Sequence, residues 1–226
     1  NASEEQQKMQ EQQQEPPVAK VTTKEEQQSL SPDTILQRLK AGNKRFTENN
    51  VTERDHSKMV RATASGQFPK SVVLSCLDSR IPVEDVFDKG IGDMFVARNA
   101  GNIVNVDVLG SMEFACKVSG AKLILVMGHS SCGAIKAAID DVQMGNITAM
   151  LAKIKPAIAL SQNFNGTKSS KDNSFTDYVG KNNVLNTIEN IRKGSPILKE
   201  MENKGAIKMV GAYYDINTGA VVFLEQ

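Results

Sequence analysis

The chain has 226 residues, of which 40% are hydrophobic and 23% are charged, as in an ordinary globular domain. Its 27 basic and 26 acidic residues give a net charge of +1, so nothing in the charge balance favours nucleic acid or an acidic membrane surface as a partner. No apolar run approaches the roughly 20 residues of a membrane-spanning helix. We therefore expect neither a nucleic-acid nor a membrane partner.

The N-terminal residues have the composition of a disordered segment. Gln and Glu account for 14 of the first 29 positions, and large apolar side chains are almost absent. We predict a disordered tail over residues 1–30 and a single α/β domain over residues 31–226. Because the chain begins at Asn1 and not at Met, we expect a periplasmic or otherwise exported protein, with the cytoplasm as the alternative.

The domain is predicted to begin with a helix that Ser31 can cap. Ile35, Leu36 and Leu39 give this helix an apolar face. That face can pack on the chain's own sheet or on a second copy of the protein. Gly42 is expected to interrupt the helix.

Strand and helix patterns alternate through the rest of the chain. Apolar, β-rich runs predict strands at residues 71–76, 93–97 and 122–127. Helical patterns cover residues 107–117, 132–142, 147–162 with a break at Pro156, and 184–191. Residues 207–224 predict a hairpin. We predict a central, mostly parallel sheet flanked by helices, with an N-terminal helical arm and a C-terminal antiparallel edge hairpin.

Two of the predicted strands end in side chains that bind metals. Cys76 closes the first strand, and His129 and Cys132 follow the third. Because ligands bind at the carboxyl ends of parallel strands, neighbouring strands would bring two thiolates and one imidazole together, a donor set suited to Zn²⁺. The start of a helix at Cys132 would lower the pKa of its thiol. Each motif alone is better explained by core packing, and only the combination favours a metal site.

The counts of histidine and cysteine restrict the kind of site. Two histidines exclude a site of three imidazoles, and three cysteines are too few for a disulfide framework. We interpret His56 as a solvated loop residue and Cys116 as a packing residue.

Asp78 and Arg80 follow Cys76 closely enough to form a carboxylate–guanidinium pair. A surface ion pair is the simplest interpretation of this spacing. Beside a metal ion with one open coordination position, the pair would also have a use in catalysis.

These residues resemble the motifs of the β-class carbonic anhydrases. The matching motifs are Cys76-x-Asp78-x-Arg80, Arg98-Asn-Ala-Gly-Asn102, Gly128-His129-x-x-Cys132-Gly133 and Gly211-Ala-Tyr-Tyr-Asp215. The resemblance extends from about Pro32 to the C-terminus. It implies the reversible hydration of CO₂ to bicarbonate and a proton.

The resemblance also implies zinc as the cofactor, with Cys76, His129 and Cys132 as its ligands. An Asp78–Arg80 dyad would orient a zinc-bound hydroxide toward CO₂. In a closed state of the site, Asp78 would instead bind the zinc as a fourth ligand.

Similarity to the plant-like branch of the family implies two substrate-binding residues. Gln67 would hydrogen-bond the substrate, and Phe95 would form an apolar wall of the pocket. Leu77 and Ala100 depart from the Ser and the larger aliphatic residue that are frequent at these positions. The resemblance further implies a homodimer or a dimer of dimers, with active sites at the subunit interface and N-terminal helices embracing the partner.

Two other functions remain open from the sequence. A related hydrolase of CS₂ or COS would use the same zinc ligands with a different access channel. A non-catalytic zinc-binding interaction protein would keep the ligands but would not need Asp78 and Arg80. The presence of this pair favours an enzyme.

Overall fold

A computed structural model of the chain describes residues 19–224. Its strands are, in chain order, β1 (Ser71–Cys76), β2 (Met94–Asn99), β3 (Leu123–His129), β4 (Lys208–Tyr214) and β5 (Val221–Leu224). They form one sheet in the order β2-β1-β3-β4-β5, in which β4 and β5 are the antiparallel pair and the other pairs are parallel. The predicted mostly parallel sheet with a C-terminal antiparallel pair is confirmed.

Helices cover both faces of this sheet. In chain order they are α1 (Lys24–Ser29), α2 (Pro32–Thr47), α3 (His56–Thr63), α4 (Val83–Val86), α5 (Val106–Glu113), α6 (Gly133–Ile139), α7 (Gly145–Ala152), α8 (Lys155–Ala159), α9 (Asn173–Gly194) and α10 (Pro196–Asn203). A π-helical turn, Phe114–Val118, follows α5 directly. Within residues 19–224, none of the helices is both long and apolar enough to cross a membrane.

The sheet separates two hydrophobic clusters. Every residue of β1 and β3 is buried, because both strands have a neighbour on each side and helices on each face. In β1, Val73 packs in one cluster with residues of α2 and α6, whereas Val72 and Leu74 pack in the other with residues of α5 and α9. Burial on both faces explains why these strands are apolar throughout.

The first described residues are folded, so the predicted tail boundary at residue 30 is wrong. Residues 19–30, which we call the strap, contain α1 and lie against the start of the sheet. The buried side chain of Gln27 donates from Nε2 to the carbonyl oxygens of Pro69 at 2.7 Å and Ser119 at 2.8 Å. Hydrogen bonds hold this polar segment, and composition does not reveal them. The rest of the predicted tail, residues 1–18, lies outside the described residues.

A buried ion pair fastens the strap to the sheet. Lys70 donates from Nζ to Asp93 Oδ1 at 2.8 Å, and the hydroxyl of Thr22 donates to the same oxygen at 2.5 Å. Lys122 donates to two carbonyl oxygens of the strap, each at 2.7 Å. These contacts lie where β1, β2 and β3 begin, at the opposite end of the sheet from Cys76.

Helix α2 begins where the sequence predicts and extends past the expected break. The hydroxyl of Ser31 accepts a hydrogen bond from the Thr34 N–H at 3.1 Å. The apolar face packs into the chain's own core through Ile35, Leu36 and Leu39. Gly42 does not interrupt the helix. It lies where α2 approaches another segment closely, since a Cβ at this position would lie 1.9 Å from the carbonyl oxygen of Phe87. The face of α2 therefore gives no support for an intersubunit contact.

Other element boundaries differ by a few residues from the predictions. Pro156 divides the predicted segment 147–162 into α7 and α8. Strand β2 begins one residue later than predicted and continues to Asn99. Cys132 is the N-cap residue of α6 and not its first helical residue.

Candidate metal centre

The candidate site lies at the carboxyl ends of β1 and β3, which are hydrogen-bonded neighbours. Cys76 is the last residue of β1 and His129 is the last residue of β3. Cys132 follows a tight turn in which Ser131 has a positive φ of 56°. This turn directs the chain from β3 into α6 and returns Cys132 toward Cys76.

The three predicted ligands come together in the structure. Their ligand atoms all lie within 4.8 Å of one another, and the sulfur atoms of Cys76 and Cys132 are 4.0 Å apart. Two thiolates on one tetrahedral zinc ion stand about 3.8 Å apart, since each Zn–S bond is about 2.3 Å. The spacing therefore fits a zinc ion without rearrangement of the backbone.

The hydrogen bonds of His129 leave one ring nitrogen free for a metal. The Nδ1–H of the ring donates to the carbonyl oxygen of Ser130 at 2.9 Å, which fixes the tautomer. The other nitrogen, Nε2, is buried and has no hydrogen-bond partner among residues 19–224. A buried nitrogen lone pair beside two sulfur atoms is costly unless a cation or a proton occupies the space. The donor set fits zinc.

The two sulfur atoms shift each other's pKa in opposite directions. Hydrogen bonding with the neighbouring sulfur of Cys132 and with the N–H of Gly101, which lies 3.5 Å away, lowers the pKa of the Cys76 thiol below its ordinary value. The neighbouring sulfur and burial raise the pKa of Cys132 above its ordinary value. Backbone N–H groups of Ala134 and Ile135 in α6 act in the opposite direction and lower the pKa of Cys132, which is the effect expected of a helix start.

Asp78 and Arg80 form the predicted pair at the edge of this cluster. The guanidinium of Arg80 donates from Nε to Oδ1 of Asp78 at 2.9 Å and from Nη2 to Oδ2 at 2.7 Å. These bonds hold the pKa of the Asp78 carboxyl well below its usual range. Oδ2 of Asp78 is 3.9 Å from Nε2 of His129. A charged carboxylate therefore borders the metal centre.

Two further residues hold the loops of the site, and the sequence analysis assigned them no role. Arg98 donates from its guanidinium to the carbonyl oxygens of Cys76, at 2.9 Å, and Asp78. Asp177 of α9 accepts a hydrogen bond from the N–H of Ser131 at 3.3 Å. Both contacts join a side chain to backbone groups of a distant segment, so residue spacing does not predict them. The one sequence feature that could have indicated a role was the presence of Arg98 within a motif that resembles the family.

Gln67 and Phe95 do not reach the metal centre of their own chain. Gln67 is exposed and precedes β1, and Phe95 pairs with Val72 near the start of the same strand. The six residues of β1 separate this end of the sheet from Cys76 by roughly 17 Å at 3.3 Å per residue. A pocket that contains these two side chains and the metal centre cannot be built from one copy of the chain.

The other two candidate residues lie outside the site. His56 is exposed, as expected, but it is the first residue of helix α3 and not a loop residue. Cys116 is buried, and burial raises the pKa of its thiol to about 12. Neither residue belongs to the metal-binding group.

Comparisons with known proteins agree on one family. Residues 71–221 match the family model described as carbonic anhydrase. The chain is 32% identical to carbonic anhydrase 2 of Mycobacterium tuberculosis over 202 residues, which covers 86% of this chain and 94% of that protein.

Two solved structures extend the similarity to the whole fold. A β-carbonic anhydrase of Coccomyxa in complex with acetazolamide is 26% identical, with a TM-score of 0.66 and coverage of 75% of this chain and 78% of that one. One of two tetrameric β-carbonic anhydrases from Sordaria macrospora is 22% identical, with a TM-score of 0.67 and coverage of 86% and 96%. On the family match, the identity over most of its length and the shared fold, this chain belongs to the β-carbonic anhydrase family.

Proposed function

We propose that this protein catalyses the reversible hydration of CO₂ to bicarbonate and a proton. The observation that carries the proposal is the buried Nε2 of His129, which has no hydrogen-bond partner in the described part of the chain and stands beside two cysteine sulfurs and the ion-paired carboxylate of Asp78. Cys76, His129 and Cys132 would hold the zinc ion. When bound, zinc acts as a Lewis acid that activates water as the nucleophile.

The Asp78–Arg80 pair supplies the orientation that the reaction needs. Asp78 remains ionised because Arg80 hydrogen-bonds both carboxylate oxygens, so it acts as a hydrogen-bond acceptor at the edge of the centre. By accepting a hydrogen bond from the attacking water, Asp78 would direct an oxygen lone pair of that water toward CO₂. Arg80 holds the carboxylate in place through these hydrogen bonds.

The proposal includes a second copy of the chain. Gln67 and Phe95 can line a pocket with a metal centre only if that centre belongs to another copy. Strand β2 pairs with β1 along one side, and its other side carries no strand within the described part of the chain. Apolar side chains border this free edge: Val106 is 79% exposed and Phe114 is 53% exposed, and both line a groove with Phe95. Exposed apolar surface of this kind marks protein interfaces.

A copy packed on this groove would form a dimer, or half of a dimer of dimers, in which each subunit presents Gln67 and Phe95 to its partner. Membership of the plant-like branch of the family rests on these same two residues and is part of the proposal.

The test is a stopped-flow assay of CO₂ hydration on protein whose metal content has been measured. We expect one zinc ion per chain and activity that disappears on removal of zinc and returns with it. Faster turnover of CS₂ or COS than of CO₂ would contradict the proposed substrate. Zinc binding without any of these activities would instead identify a non-catalytic zinc protein.

A further inference from the structure

Helix α9 carries polar side chains on a face that is buried against the sheet. Asn183 and Thr187 lie one turn apart, and their exposed fractions are 0% and 2%. The Nδ2 of Asn183 donates to the carbonyl oxygen of Gly101 at 2.7 Å, and the hydroxyl of Thr187 donates to the carbonyl oxygen of Asn102 at 3.2 Å. Both therefore hold the loop that follows β2.

The loop held in this way touches a predicted zinc ligand. The N–H of Gly101 donates to the sulfur of Cys76 at 3.5 Å. Gly101 has a φ of +74°, and a Cβ at this position would lie 2.6 Å from Cδ1 of Ile154. The loop can therefore approach the sulfur only in a conformation that other residues disfavour, and such a conformation requires support from its surroundings.

Stability alone does not account for Asn183. Its Oδ1 is buried without a hydrogen-bond partner among the described residues. An apolar side chain of similar size would avoid this cost, since a buried acceptor that is left unpaired is unfavourable. The part of the side chain that makes a contact is its Nδ2 donor, which hydrogen-bonds the carbonyl oxygen of Gly101.

We propose that Asn183 and Thr187 are positioning residues of the metal centre. They hold the loop so that the N–H of Gly101 hydrogen-bonds the Cys76 thiolate, and this bond withdraws electron density from the sulfur and fixes its position for the cation. Neither side chain touches the substrate. The inference rests on the proposed function in so far as Cys76 is a zinc ligand.

The test compares Thr187→Val with Thr176→Val in the cobalt-substituted protein. Thr176 is a matched control because it lies in the same helix, is 0% exposed and also donates to a backbone carbonyl, that of Ser170 at 3.4 Å. We expect Thr187→Val to move the thiolate-to-cobalt charge-transfer band to longer wavelength and to release zinc to a chelator about tenfold more readily. Thr176→Val should leave both properties at the wild-type values.

Two further variants separate the possible results. Asn183→Leu removes the stronger of the two bonds and should give a larger band shift, and Thr187→Ser, which keeps the hydroxyl, should restore the wild-type spectrum. If Thr187→Val and Thr176→Val behave alike, the positioning role is wrong while the proposed function stands. If Cys76→Ser leaves the charge-transfer band intact, Cys76 is not a ligand, and the ligand assignment in the proposed function fails.

Discussion

Asp78 illustrates how neighbouring groups keep a carboxylate charged beside a metal centre. Arg80 donates two side-chain hydrogen bonds and one backbone hydrogen bond to it, and these lower the pKa of the carboxyl below its ordinary value. A group with a lowered pKa in the folded protein stays deprotonated above the unfolded value, and its pairing is lost only as the pH falls through the folded value.

The first prediction concerns this pH range. We expect the carboxyl carbon of Asp78 to show no titration between pH 8 and about pH 4, the ordinary value for aspartate. NMR of protein with labelled aspartate can measure this, with Asp78→Asn to assign the signal. A titration midpoint near pH 5 or above would show that Arg80 does not hold the carboxylate charged.

A second prediction separates orientation from metal binding. Asp78→Ala and Arg80→Ala should each retain a full equivalent of zinc and lower kcat/KM for CO₂ hydration by roughly 100-fold or more, because the nucleophile is no longer directed. Asp33→Ala removes an exposed aspartate that pairs with Lys208 far from the site, and it should be as active as the wild type. Near-normal activity in either dyad variant would exclude the orienting role.

At the scale of residues, the sequence predicts the ligands better than their supports. Cys76, His129 and Cys132 could be predicted because the first two end strands, the third follows His129 by three residues, and strand ends meet at one edge of a parallel sheet. Arg98 and Asn183 act on backbone atoms of other segments, and no side-chain spacing reveals such contacts. In the proposed dimer, the positions of Gln67 and Phe95 relative to the centre would depend on a second copy of the chain, which spacing in one chain does not specify.

Among the elements, α2 is held by a buried aspartate that follows α4. Asp88 accepts hydrogen bonds from Arg45 of α2 and from Thr52 and Arg54 in the connection between α2 and α3. Burial favours the neutral acid and would raise the pKa of Asp88, but these hydrogen bonds outweigh it and lower the pKa to about 2. One side chain therefore joins three segments.

We expect Asp88→Asn to lower the free energy of unfolding by about 3 kcal/mol at pH 7, because it leaves the partly buried guanidinium groups of Arg45 and Arg54 poorly paired around a buried side chain. The folded pKa of Asp88 lies below the unfolded value, so its contribution is complete above about pH 4 and declines as the pH falls toward 2. Urea unfolding at pH 7 and pH 3 measures both effects.

Asp85→Asn is the control for this experiment, since Asp85 is an exposed partner of Arg54. It should change the free energy of unfolding by less than about 1 kcal/mol. Equal effects of the two variants, or a difference between Asp88→Asn and the wild type that grows in acid, would contradict this account.

The strap is the element that sequence reasoning missed, and its chemistry explains why. Helix α2 was predictable because a capping serine precedes a regular apolar face. The strap has no such face and is ordered by polar contacts of Gln27, Thr22 and Lys122 with distant groups. Composition measures apolar content and therefore undervalues a segment of this kind.

Gln27→Leu should test how much the strap contributes. The variant leaves the carbonyl oxygens of Pro69 and Ser119 without their donor, and we expect a loss of about 1–3 kcal/mol in the free energy of unfolding. Gln28→Leu is the matched control, because Gln28 is exposed and its bond to Lys122 uses only its backbone carbonyl. Equal stabilities for the two variants would show that the Gln27 contacts are not stabilising.

For the whole molecule, the proposed dimer depends on the free edge of β2 and on the groove beside it. Phe114→Glu places a charge among the exposed apolar residues of this groove, so we expect sedimentation to shift from dimer or tetramer to monomer. Activity should fall at the same time, because the substrate side chains of the partner are lost. Met144→Glu alters an equally exposed apolar residue outside the groove and should do neither. A fully active wild-type monomer would contradict the shared site.

The strap also limits how the protein can be shortened or tagged for laboratory use. A truncated version that starts at Ser31 would open the Lys70–Asp93 pair to water and remove the donor from the carbonyl of Pro69. Because Gln67 is only two residues from Pro69, such trimming would disturb this proposed substrate-binding side chain together with the scaffold. Affinity tags and fusion partners therefore belong upstream of residue 19.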